Sequence, residues 1–94
     1  MRVAKSRHQT MVEIAALRTC LAKLTPRERD VMEHVVTGQL NKQIAADLGT
    51  VEQTIKVHRA RVMEKMGVES VADLVRAAEK LGIPSPLPLV PNRV

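Results

Sequence analysis

Four glycines, at positions 38, 49, 67 and 82, divide this chain, and each stands just past the end of a run with helical spacing. Glycine takes up the left-handed backbone conformation that closes a helix. The interiors of the runs hold neither Pro nor Gly, and four of the five prolines are gathered between Ile83 and Val94. Independent start and stop signals therefore agree. The fold class they predict is all-α, built from short helices joined by tight turns.

The helix starts are also marked. In Thr25-Pro26-Arg27-Glu28, Thr25 can cap a first turn, Pro26 suits the first helical position and Glu28 completes a capping box. The helix that follows carries Val31, Met32, Val35 and Val36 on one stripe, with His34 beside it as a structural or surface residue. Asn41 is expected to cap the next helix, whose inner face is Ile44, Ala45 and Leu48. Gly49 makes a turn, and Thr50 with Gln53 reads as a second capping box opening a helix that runs to Met66. Ser70 caps a last helix with Val71, Leu74, Val75, Ala78 and Leu81 at helical spacing.

Ahead of these, residues 10–23 form a further predicted helix. Ile14, Leu17, Leu21 and Leu24 make a short a/d seam that packs on the domain, pairs with a second copy or links to another domain. Cys20 beside the seam reads as a small, partly buried residue. Residues 1–9, MRVAKSRHQ, are expected to be a basic flexible arm, and 84–94 a Pro-rich disordered tail.

Charge by itself identifies no partner. Residues 1–24 hold five basic and one acidic residue, but residues 25–83 hold nine of each. A chain with no Phe, Tyr or Trp lacks the rings on which single-stranded nucleic acid stacks. A single cysteine excludes an intramolecular disulfide framework and suits a reducing, cytoplasmic setting. No apolar run approaches the roughly 18 residues that would span a bilayer. His8, Cys20, His34 and His58 have no metal-ligand spacing, and paired carboxylates and phosphate-binding Gly loops are missing, so neither enzyme, metal nor cofactor is expected.

The helix after Gly49 is unusual. With Ile55 at the centre of its buried face and about 100° per residue, Val51, Val62 and Met66 fall inward, with His58 and Met63 at the edges. Gln53, Val57, Ala60 and Glu64 point away, flanked by Lys56 on one side and by Thr54 and Arg61 on the other. Exposed Val57 and Ala60 do not fit an ordinary solvated face. They fit a major groove, where small apolar groups meet thymine methyls, Lys and Arg donate to guanine and Gln pairs with adenine. Two helices joined by a turn of a few residues containing Gly form a helix-turn-helix.

The segment Leu24 to Ile83 resembles the LuxR/NarL-type DNA-binding domain, and most closely that of FixJ-like response regulators. The motifs that carry the resemblance are LTPRERDVM, then G-x-x-NKQIAADL, then TVEQTIKVHRARVMEKM, then a closing helix of the form S-x-x-x-LVRxA. It implies a four-helix bundle over 24–83, here preceded by an N-terminal linker or dimerisation helix over 10–23. The second and third helices of the bundle would form the helix-turn-helix, and the fourth would support dimerisation on double-stranded DNA.

The resemblance puts Lys56 and Val57 at base-reading positions, with Gln53, Ala60 and Arg61 on the same exposed face. Ala60 stands where some members carry a longer polar reader. Thr54 and His58 match positions near the phosphate backbone. Lys42 and Lys65 join them by charge, and Arg59 does so from nearer the core side. Val71, Val75 and Ala78 are the candidate dimerisation residues. FixJ-like regulators carry a receiver domain ahead of this segment, so the chain is either an isolated effector domain or a free-standing relative.

Two other readings keep the helices and change the role. A sigma-factor region 4 has a similar helix-turn-helix and would act with RNA polymerase. A helical adaptor or dimerisation module would rest on the Ile14–Leu24 seam and the Pro-rich tail, without DNA.

Overall fold

The structure, a computed structural model, describes residues 7–83. Five helices follow in order: α1 (Arg7–Leu21), α2 (Pro26–Val35), α3 (Asn41–Leu48), α4 (Glu52–Met66) and α5 (Val71–Leu81). Among the described residues there is no strand. Of the expected flexible arm at 1–9, residues 1–6 lie outside the described residues, as does the Pro-rich tail at 84–94, while residues 7–9 belong to α1. The first helix begins at Arg7, earlier than the Thr10 expected from spacing.

The start of α2 is as the capping pattern predicts. The Glu28 amide donates to Thr25 Oγ1 at 3.1 Å, and the Thr25 amide donates to Glu28 Oε1 at 2.9 Å. Ser70 caps α5 by accepting from the Asp73 amide at 3.1 Å.

Two other expected caps are displaced. Leu40, not Asn41, is the N-cap of α3, and Asn41 is its first helical residue. Leu40 has no side-chain acceptor, but its own amide donates to Gln43 Oε1 at 2.9 Å. Likewise Val51, not Thr50, is the N-cap of α4, and no side chain caps that helix. The reason lies in the previous helix. The Thr50 amide donates to Ala45 O at 2.9 Å and so closes the C-terminus of α3. A further extended residue is then needed before α4 can start, and Val51 supplies it at φ −107°, ψ 157°. Val51 is in consequence 63% exposed, not part of the inward face as the helical wheel placed it.

The core sits where α2, α3, α4 and α5 converge. Val31, Met32, Ile44, Ile55 and Leu74 are fully buried, with Val35, Val36, Ala45, Val62, Met66, Ala77, Ala78 and Ile83 around them. Burying a side chain such as Ile55 contributes about 1.5–3 kcal/mol. The α4 helix packs against α1, α2 and α3, while α1 also covers α5. Leu17, Cys20, Leu21 and Leu24 lie partly buried against this core, so the N-terminal helix is seated on the domain through its seam. An ion pair between Lys80 and Glu13, 3.4 Å long, adds a polar tie from α5 to α1.

Candidate nucleic-acid interface

The turn between α3 and α4 aims the candidate reading helix. Gly49 sits at φ 71°, ψ 37°, a left-handed conformation that a side chain disfavours. It lets the chain reverse in two residues, Thr50 and Val51, before α4 begins. Anchored by Ile55, Val62 and Met66, α4 then has only one face left for solvent.

That face is the one expected to read bases. Gln53, Lys56, Val57, Ala60 and Arg61 are all exposed, Val57 by 45%. Thr54, His58 and Arg59 are half-buried along its border. Lys56 and Arg61 have no ion pair or hydrogen bond to any described residue, and the same holds for exposed Lys42 on the first turn of α3. Three cations with no partner among the described residues therefore lie on the two helices of the helix-turn-helix.

Lys65 and Arg59 are placed differently. The Lys65 ammonium donates to Glu28 Oε1 at 2.7 Å and to the carbonyl of Lys23 at 3.2 Å. Expected among the phosphate contacts, it joins the end of α1, α2 and α4 through these bonds. Glu28 is 4% exposed. The hydrogen bond from Lys65 and that from the Thr25 amide hold its carboxyl below the usual glutamate range, against the opposing effect of burial. Lys65 and His58 add favourable charge. Arg59 Nη1 donates to Asn41 Oδ1 at 3.0 Å, linking α4 to α3. Neither partnership leaves a mark in the local sequence, because Glu28 and Lys65 are 37 residues apart and Asn41 and Arg59 are 18 apart.

The candidate dimerisation residues divide in a similar way. Val71 and Val75 are half-buried against the core edge, whereas Ala78 is 2% exposed and belongs to the core. His34 has a structural place at the α2–α3 joint. Its Nδ1 lies 2.8 Å from the Asp30 carbonyl and its Nε2 4.0 Å from Asp47 Oδ2, which also accepts from Gln39 Nε2 at 3.0 Å. Among the described residues, no group of His, Cys, Asp and Glu could hold a metal ion, and no helix is long and apolar enough to cross a membrane.

The model of the family described as bacterial regulatory proteins, luxR family, matches residues 22–78, more than half of the chain. The chain belongs to the LuxR family of bacterial regulatory proteins. Its helix-turn-helix is thus of the DNA-binding type, and the family is one of regulators, not enzymes. Nodulation protein W of Bradyrhizobium diazoefficiens is 46% identical over 79 residues, covering 84% of this chain and 35% of that protein. Transcriptional regulatory protein FixJ of the same organism is 46% identical over 63 residues, covering 67% of this chain and 31% of that protein. The crystal structure of full-length FixJ from B. japonicum superposes with a TM-score of 0.75 at 36% identity, covering 86% of this chain and 40% of that one. The chain spans about a third of the length of these curated relatives.

Proposed function

We propose that this LuxR-family domain reads double-stranded DNA in a sequence-specific way within a transcription regulator. The first half of α4 enters the major groove, where Lys56 and Val57 read bases, with Gln53, Ala60 and Arg61 beside them. Lys42, Thr54 and His58 contact backbone phosphates and set register, a division of labour common to such interfaces. The observation that carries this reading is the exposed strip on α4, whose two cations have no partner among the described residues while the opposite face is buried by other helices. An ordinary solvated helix has no need of exposed Val57 between Lys56 and Arg61.

Two copies would pair on DNA through α5, with Val71 and Val75 the apolar candidates and Ala78 supporting them from the core. A response-regulator context is supported by a relative 41% identical over 81 residues, which is named as a response regulator protein. The family match favours this reading over a sigma-factor region 4 module acting with RNA polymerase and over an adaptor without DNA. Selection of bound duplexes from a random pool tests it. Enrichment of a two-fold symmetric site would support a dimeric reader, and a single half-site a monomeric one. Failure to enrich any sequence would refute base reading.

A further inference from the structure

Asn41 opens α3, yet its side chain does not cap that helix. Its Oδ1 accepts a hydrogen bond from Nη1 of Arg59, on α4, at 3.0 Å. The cap position is left to Leu40, an apolar residue that is 68% exposed. An Asn at the cap would stabilise the helix by accepting from its first-turn amides. Here the Asn stands one position later and is turned toward α4.

The location of this bond matters. Ile44 and Ala45 of α3 and Ile55 of α4 also share the apolar core. Apolar packing keeps two helices together but has little directional preference. A hydrogen bond is directional. Arg59 lies three residues after Lys56, so the two are neighbours on the helix surface. A rotation of α4 by about 20° would carry a side-chain tip roughly 6 Å from the axis through about 2 Å, more than a base-edge hydrogen bond tolerates.

We propose that Asn41 and Arg59 form a strut that sets the rotation of α4 on α3 and with it the aim of Lys56. Arg59 is then a positioning residue for base recognition and not itself a DNA contact. The proposal rests on the reading that the first half of α4 reads bases.

The test measures binding to a selected duplex and to its scrambled counterpart, each across a salt titration, with thermal melts as a control for folding. Asn41→Ala and Arg59→Met should each lower the ratio of specific to scrambled binding by about five-fold, a fraction of what losing a base contact costs. The double variant should lose no more than the larger single loss, because both changes remove one interaction. Asn41→Asp keeps the acceptor and should keep the ratio, although its negative charge weakens binding to both duplexes. For the Ala and Met variants the salt dependence should stay as in the parent domain.

The strut is refuted if Arg59→Met weakens both duplexes equally and lowers the salt dependence by about one phosphate. Losses that add in the double variant, or a lower melting temperature with the ratio intact, would also overturn it. If the parent domain itself fails to bind any selected duplex, the underlying reading falls and the strut with it. That result is distinct from a parent domain that binds while its variants keep their discrimination.

Discussion

The Lys65 ammonium on α4 lies 2.7 Å from the carboxylate of Glu28 on α2, whose side chain is almost entirely buried. The same ammonium reaches the Lys23 carbonyl at 3.2 Å, so one side chain joins the end of α1, the first turn of α2 and the last turn of α4. Removing it leaves a buried charge without its partner. Lys65→Met should therefore destabilise the domain by about 2 kcal/mol, below the range for a fully buried pair because Lys65 is partly exposed. Thermal unfolding should show a fall in Tm on the order of 10 °C. A change within 2 °C would mean that the pair contributes nothing net.

The same pair makes stability depend on pH. The folded-state pKa of Glu28 is lowered, first by the Lys65 hydrogen bond and next by that from Thr25. A depressed carboxyl contributes stability that is fully present above its unfolded pKa and is lost as pH falls through the folded value. Chemical denaturation followed from neutral pH into the acid range should show this loss below the ordinary glutamate range. Glu28→Gln should flatten that part of the profile. An unchanged acid slope in the Gln variant would assign the pH dependence to other groups.

Gly49 is held at φ 71° with open space where a Cβ would project. Gly49→Ala should therefore cost only backbone strain, about 1–2 kcal/mol, without a steric clash. Gly49→Asn should cost less, since Asn tolerates the left-handed region better. Equal losses in the two variants, compared by urea unfolding, would locate the effect elsewhere than in the turn.

The caps offer a contrast within one molecule. Thr25 accepts from the Glu28 amide and Ser70 from the Asp73 amide, so Thr25→Ala and Ser70→Ala should each cost about 1 kcal/mol. Thr50 uses its backbone amide to close α3, and its side chain does not cap α4. Thr50→Ala should stay within about 0.5 kcal/mol of the parent. A loss at Thr50 as large as that at Thr25 would restore the capping box expected from the sequence.

On DNA, Lys56→Ala should weaken binding to the selected duplex by about 1–3 kcal/mol while leaving random duplex almost unaffected. Lys42→Ala should weaken both and reduce the salt dependence by about one counterion. Fluorescence anisotropy on the two duplexes separates these outcomes. The same response from both variants would remove the distinction between reader and anchor.

Much of the molecule is local and was therefore legible in the chain. Helix ends are decided within a few residues. Gly49, Gly67 and Gly82 are left-handed C-caps as expected, Gly38 has positive φ but stands beyond the Val36 cap of α2, and Thr25 and Ser70 cap where their types and spacing say they should. The inward positions of Ile55, Val62 and Met66 follow from helical period alone, as does the outward strip from Gln53 to Arg61. What the tertiary structure decided concerns groups that meet across the fold. Thr50 could serve either the end of α3 or the start of α4, and closing α3 displaced the start of α4 to Val51. Asn41 could cap its own helix or bond to another, and the approach of Arg59 turned it outward to α4. Lys65 reads as a surface cation until α4 is laid across α2, where the buried carboxylate of Glu28 captures it. Local chemistry names the candidates at each position, but a polar side chain with several possible partners takes the one that packing brings within about 3 Å.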